Sequence, residues 1–245
     1  MNNYTEKEST QSTNLLNEEL ITVSNDCLAK LDTFIDEFKL TGFTKLPNLL
    51  NEKEYTLLFN EAVRLLENFS KRKDFIMEET ENTIRKISTV SGNIISNSSE
   101  IIPQFYQNQE LVKFLGEIAE TELFLTPDMA DRHTVHRLHK KGDEHGGHVD
   151  TYPYVLVFLL EHPSFEEGGQ LKFVPNSLDV KDLDTDKAIV ASFKSGDCYF
   201  MKAGANVHSV LPLKKDAHRT VLVFTYADEV SNKILTSYSS NKLYD

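Results

Sequence analysis

Residues 144–160 read EHGGHVDTYPYVLVFLL. The second half, YPYVLVFLL, is an almost unbroken apolar run rich in β-branched and aromatic residues. That is the pattern of a strand buried on both faces. The first half sets an imidazole, His148, two residues before a carboxylate, Asp150. In extended chain, residues two apart point to the same side. The pair could therefore share a metal ion or form a local salt bridge, and taken alone it leaves both open.

Outward from this stretch the chain reads as β. HTVHRLH precedes it, and LKFVP, AIVASF, DCYFMKA, VHSVLPL and RTVLVFTYA follow, separated by Gly, Asp, Pro or Lys turns. Short strands at this spacing predict a sandwich or barrel. Before Pro127 the pattern is mostly helical. Leu28, Leu31, Ile35 and Phe38 recur at helical spacing and Gly42 stops the run. GFTKLPNLL reads as a short strand ended by Pro47. Asn51 is an N-cap for a helix carrying Tyr55, Leu58, Phe59, Ala62, Leu65, Leu66 and Phe69. A further helix carries Leu111, Phe114, Leu115 and Ile118. The expected fold class is α+β, mainly β, with N-terminal helices buttressing the sheet. Residues 1–24, polar and without apolar period, are expected to be a flexible lead-in, and residues 25–245 a single domain.

Composition narrows the function classes. The chain has 245 residues, with 26 Lys and Arg against 38 Asp and Glu, a net charge of −12. A general nucleic-acid binder carries the opposite bias, so no nucleic-acid partner is expected. No apolar stretch is long enough to span a bilayer, so no membrane partner is expected either. MNNYTEKESTQSTNLL has neither a basic segment nor an apolar one, so the expected localisation is cytoplasmic. Two cysteines, Cys27 and Cys198, are too few for a disulfide scaffold or a Cys-rich zinc site. Both read as buried thiols.

A third metal ligand is available in His208, which opens a later β segment, GANVHSVLP. Two histidines and one carboxylate on one face of an ion leave open positions, the arrangement of non-haem Fe(II) oxygenases. Arg219 opens the strand RTVLVFTYA. Its planar fork matches a carboxylate, so it can anchor the far end of a 2-oxo acid whose near end chelates the metal. Val221, Val223 and Thr225 share its strand face, which aims Thr225 at the same interior.

His148-x-Asp150, His208 and Arg219 together resemble the Fe(II)/2-oxoglutarate-dependent oxygenases. HKKGDEHGGHVDTYP resembles the subgroup of free amino-acid hydroxylases related to radical amino-acid halogenases. The resemblance covers most of the chain after about residue 24. It implies a double-stranded β-helix (jelly-roll) core, Fe(II) on His148, Asp150 and His208, and 2-oxoglutarate and O2 as cosubstrates, with Arg219 on 2-oxoglutarate. It also implies a small-molecule amino-acid substrate. The halogenases of the subgroup carry Gly in place of the carboxylate ligand. This chain keeps Asp150, which implies hydroxylation by hydrogen-atom abstraction and hydroxyl rebound. By the same resemblance, His145 belongs to the substrate site, Arg85 holds the substrate carboxylate and Asp131 meets its amine. Thr151 departs from the lysine-acting members, where an acidic residue follows the metal motif. The substrate expected is a basic amino acid, lysine first, with ornithine or an aliphatic amino acid behind it.

Plainer readings stand beside these. His133, His136, His139, His162 and His218 read as ordinary polar residues. Arg85 lies among Lys and Glu and could form a surface ion pair. Asp131 could simply start its strand. FEEGGQ reads as a turn, Lys214 and Lys215 as solvated, and Tyr152 and Tyr154 as pocket lining or packing. The same chemistry on a peptide or other metabolite, a non-catalytic jelly-roll module, and a cupin-like metalloenzyme that does not use 2-oxoglutarate are the rival functions. The sequence also leaves a homo-oligomer open.

Overall fold

The computed structural model describes residues 23–244. The expected lead-in therefore lies outside the described residues, except that Val23 is buried and Ser24 caps the first helix. The helices are α1 (Asn25–Leu28), α2 (Leu31–Thr41), α3 (Glu52–Phe69), α4 (Gly92–Ser98), α5 (Ile101–Tyr106), α6 (Gln109–Ala119) and α7 (Ser240–Tyr244). The strands are β1 (Phe43–Lys45), β2 (Lys71–Met77), β3 (Thr83–Val90), β4 (Phe124–Leu125), β5 (His133–Leu138), β6 (Glu144–His148), β7 (Tyr154–Glu161), β8 (Leu171–Val174), β9 (Ile189–Ala191), β10 (Cys198–Met201), β11 (Val207–Val210) and β12 (Arg219–Ala227). Helix α2 stops at Gly42, and Asn51 forms a capping box with Glu54 at the start of α3, as the sequence predicts.

The strands pair antiparallel in one curled sheet, in the order β1-β10-β7-β12-β5-β3-β6-β11-β8-β9, with β2 added to β3 and β4 to β12. Strand β3 is the joint. Its Ser88–Val90 end pairs with β5, and its Arg85–Lys86 end pairs with β6. One strand thus hands the ladder from one wall to the other, and the sheet folds over on itself. This is the jelly-roll core with buttressing helices.

Strand β7 shows why its sequence has no polar face. Tyr154, Leu156, Phe158 and Leu160 pack into a core with Phe34, Phe38, Leu58, Leu65 and Phe114 from the helices. Val155, Val157 and Leu159 face the interior of the curl with Phe173, Tyr199, Met201 and Val221. Alternate residues serve two separate cores, so both faces must be apolar. Strand β12 alternates the same way, with Leu222, Phe224 and Tyr226 toward the helices and Val221 toward the interior.

The β2–β3 hairpin is not legible as β in the sequence. Strand β2, KRKDFIM, is charged and largely exposed up to the buried Met77, because it covers only one side of β3. Helices α4 and α5 were likewise too short to show a period. Tyr152 and Tyr154 pack and do not line the cavity: the Tyr152 hydroxyl donates to the Ile234 carbonyl, and Tyr154 stacks near Phe38 and Phe200. Both cysteines are free and buried.

Two local devices fix β6, the strand that leads into the metal motif. Asp143 is buried and accepts both arms of Arg72 at 2.8 and 2.6 Å, together with the backbone N–H groups of His139 and Lys140 at 2.9 and 3.0 Å. That pins the turn between β5 and β6. Gly146 lies flat on β3, where a Cβ would sit 2.8 Å from both the backbone nitrogen and oxygen of Ile84. Backbone atoms cannot swing aside as a side chain can. Gly146→Ala is therefore expected to destabilise the fold by about 1–3 kcal/mol, the usual range for overpacking, read as a lowered urea midpoint at unchanged m-value.

Candidate active site

Strands β6 and β11 are neighbours, and their register sets His148 directly opposite His208. The two rings lie 4.2 Å apart between centroids. Asp150 is not on the strand with His148, as alternation alone suggested. It lies in the loop beyond β6, where its N–H donates to the Ala203 carbonyl at 3.1 Å. The loop still returns its carboxylate to the histidines. Asp150 Oδ1 is 3.4 Å from His148 Nε2 and 3.9 Å from His208 Nε2. One ligand atom from each of the three residues lies within 4.8 Å of the others.

The donor set fits a divalent metal ion on its hydrogen bonding. His148 Nδ1 pairs with the Gly146 carbonyl at 2.9 Å, and His208 Nδ1 with the Asn206 carbonyl at 2.9 Å. A carbonyl only accepts, so each Nδ1 carries the proton. Each Nε2 then presents a lone pair toward Asp150, the tautomer a metal needs. Burial holds both imidazoles below their usual basicity, His208 at about 4. Burial also pushes the Asp150 carboxyl up to about 7, against the pull of Arg85. Partly buried beside two neutral imidazoles, the carboxyl has no cation in ion-pair contact to hold its charged form.

The other residues singled out in the sequence converge on the same cavity. Arg85, Asp131, His145, Arg219 and Thr225 line it together with the metal set. The His145 ring stacks on His148 at 4.3 Å and 10°. Arg85 is 1% exposed and is no surface ion pair. Its guanidinium donates to Thr83 and Thr80 hydroxyls and to the Ile84 carbonyl. Arg219 is 4% exposed and hydrogen-bonds the Tyr199 hydroxyl. Among the described residues, no carboxylate is in ion-pair contact with either guanidinium, and the Nε of each is buried without a partner. Burial lowers both, Arg85 to about 10. Burial, with Asp150 and Asp128 nearby, raises the Asp131 carboxyl to about 7.

Tyr199, His136, Tyr238 and Tyr244 are among the lining residues that sequence reasoning did not single out for the site. Tyr199 was legible in principle, since it alternates with Cys198 and Phe200 in β10, which face the helices. His136 reads in the sequence as an ordinary polar residue, but it faces the cavity beside Tyr244. Tyr238 and Tyr244 come from a segment without strand or helix periodicity. The FEEGGQ turn also touches the site. Gly169, with φ of +80°, is so close to Arg219 that a Cβ would lie 3.3 Å from Arg219 Cδ.

The family model of Halogenase D matches residues 28–245. The chain belongs to the Halogenase D family. No curated protein sequence matches it. The epimerase SnoN from nogalamycin biosynthesis has a TM-score of 0.64 and 19% identity, over 82% of this chain and 83% of its own. A Trichoplax adhaerens prolyl hydroxylase, solved with a hypoxia-inducible-factor peptide, has a TM-score of 0.63 and 16% identity, over 88% and 98%. AviO1 from Streptomyces viridochromogenes Tue57 has a TM-score of 0.61 and 17% identity, over 85% and 97%. At these identities the likeness speaks to the fold, which is that of the Fe(II)/2-oxoglutarate-dependent oxygenases. Within it, this member of the Halogenase D family presents an intact His-Asp-His set. No helix among the described residues is long and apolar enough to cross a membrane.

A metal ion bound by the native state alone stabilises it by mass action. Anaerobic Fe(II), or Mn(II) as a redox-silent substitute, is expected to raise the thermal midpoint. At a hundredfold excess over Kd the gain is about 2.7 kcal/mol, roughly 5–10 °C for a chain of this size. His208→Ala is expected to lose that shift. An equal shift in the variant would remove His208 from the ligand set.

Proposed function

We propose that the protein is an Fe(II)- and 2-oxoglutarate-dependent hydroxylase of a free amino acid. The observation that carries this reading is the pair of buried guanidinium groups, Arg85 and Arg219, in one cavity with the His-Asp-His cluster. A buried cation without a counter-charge is costly. Two of them in one cavity suit two carboxylate-bearing molecules, the cosubstrate and the substrate.

The roles follow from the neighbours of each group. Arg219, backed by Tyr199, takes the far carboxylate of 2-oxoglutarate. Arg85, braced by Thr80 and Thr83, takes the carboxylate of the amino acid. Asp131 takes an ammonium group, and a cation there restores its charged form. His145 and Thr225 complete the substrate wall. His148, Asp150 and His208 hold the iron through neutral Nε2 atoms and a carboxylate oxygen. When bound, iron with 2-oxoglutarate and O2 converts an unactivated C–H to C–OH, and 2-oxoglutarate leaves as succinate and CO2. The chain's own task is to aim one C–H at the metal and to limit water.

Two features favour this form over its neighbours. Asp150 supplies the carboxylate that the halogenases of the subgroup lack, which favours hydroxylation. Tyr238, Ser239, Leu243 and Tyr244 close one side of the cavity, which favours a small molecule over a long peptide. Lysine remains the first substrate to test. Thr151 in the place of an acidic residue, and the apolar wall of Val155, Val157, Val221 and Val223, keep ornithine and aliphatic amino acids next in line.

The decisive experiment is an aerobic screen of single amino acids with Fe(II), ascorbate and 2-oxoglutarate. The expected result is succinate matched one-to-one by a product one oxygen heavier than one amino acid. Succinate without such a product would overturn the substrate class. Iron binding without succinate under any condition would overturn turnover itself and leave the non-catalytic module.

The two arginines are separable. Hydrogen bonds to charged groups contribute about 1.5–3 kcal/mol, or roughly 10- to 150-fold in affinity. Arg219→Ala is expected to raise KM for 2-oxoglutarate by that factor, and Arg85→Ala to raise KM for the amino acid. Asp150→Gly is expected to abolish or divert hydroxylation, and full activity in that variant would remove Asp150 from the ligand set.

A further inference from the structure

The segment before and within α7 is tied across the cavity at several points. Asp128 Oδ2 accepts the Ser237 N–H at 2.8 Å and also the Ser240 hydroxyl. The Thr89 hydroxyl donates to the Leu243 carbonyl at 2.9 Å. Lys242 pairs with Glu79. These anchors deliver Tyr244 into the cavity wall, where it is 7% exposed.

The Tyr244 hydroxyl meets three groups. His136 Nε2 is 3.2 Å away, and the two rings lie nearly parallel, at 22°. Hydrogen bonds also link the hydroxyl to Thr134 and to the Asp131 carboxyl. A phenol has one proton to give. In the ionised form that a bound ammonium group restores, Asp131 can only accept, so the Tyr244 proton goes there. Neutral His136 then donates from Nε2, and Thr134 donates its hydroxyl proton. Every donor has one acceptor, and the direction of the chain is fixed. The bond from Tyr244 orients the carboxylate, which lines the cavity.

We propose that Tyr244 is a positioning residue for substrate recognition: its hydroxyl, held by His136 and Thr134, aims the Asp131 carboxylate at the ammonium group of the bound amino acid. This rests on the amino-acid reading of the cavity. It adds that the substrate site is complete only when the Ser237–Tyr244 segment is docked, although Tyr244 itself touches no reacting atom.

The test is a double-mutant cycle on Tyr244→Phe and Asp131→Asn, with KM measured separately for the amino acid and for 2-oxoglutarate. Loss of one charge-assisted bond is expected to raise the amino-acid KM about tenfold in Tyr244→Phe. KM for 2-oxoglutarate, bound through Arg219, should stay within about twofold. Asp131→Asn should raise the amino-acid KM further, and the double variant should match Asp131→Asn alone, because Tyr244 acts through that carboxylate. An unchanged amino-acid KM in Tyr244→Phe, independent effects in the double variant, or a parallel rise in both KM values would each overturn the proposal. If Tyr244→Phe does not fold, Thr134→Val removes a donor from the same hydroxyl. A several-fold rise in the amino-acid KM alone supports the relay, and no change overturns it. A wild-type protein that turns over no free amino acid would defeat the amino-acid reading and this proposal together. A wild-type protein that does, beside an indifferent Tyr244→Phe, would defeat only the proposal.

Discussion

The cross-strand pair His148–His208 is the contact on which the site depends. Antiparallel neighbours on one face bring two side chains together without any help from loops. The register of β6 on β11 supplies that closeness, and each imidazole is then locked by a carbonyl two residues earlier in the chain. A slip of one residue would send the two rings to opposite faces of the sheet. The features that guard against a slip lie outside the site. Gly146 lies against β3, and Asp143 clamps the turn before β6. The Arg72–Asp143 pair and the crowded glycine therefore hold a register that serves a site neither touches.

The electrostatics of the cavity follow from what surrounds it. Its walls remove water from Arg85, Arg219, Asp131 and Asp150 while giving none of them an opposite charge in ion-pair contact among the described residues. Each is displaced by burial toward its neutral form. Such an arrangement costs stability in the empty protein, and the cost is recovered only by ligands of the right sign. On the proposed function, a metal cation, two carboxylates and an ammonium are what these four groups and the two imidazoles would receive. Binding in this cavity is thus selective by charge before shape is considered.

Legibility in the sequence followed the range of the interactions. The metal set could be read because His148 and Asp150 are local and because strand periodicity is strong in YPYVLVFLL and RTVLVFTYA. The helices with long apolar stripes, α3 and α6, were legible for the same reason. Strand β2 was not, since one face is solvated and its Lys and Arg residues resemble a helix or loop. Without that strand the residues alone left Arg85 open between a surface ion pair and the substrate site that the resemblance implied, and only β2 and β6 enclosing β3 bury it. The place of His136 in the cavity wall was not legible, because its inward face depends on the alternation of β5 against both β3 and β12. Tyr244 carried no signal at all. Its place comes from anchors to Asp128 and Thr89, far away in sequence.

The position of Asp150 in a loop has a consequence for how chemistry can vary on this framework. The loop is held by backbone: the Asp150 N–H bonds Ala203, and the Gly204 N–H bonds Pro153. The contacts recorded for the Asp150 carboxylate are to the two histidines. The side chain is therefore a passenger on a loop whose course it does not set. A ligand on a strand could not be exchanged so freely, because its side chain would also pack against cross-strand neighbours. Placing the third ligand on backbone-held loop separates the coordination number of the metal from the stability of the fold. That separation explains in physical terms how one framework can keep two histidines fixed while the residue at this position is either a carboxylate or a glycine.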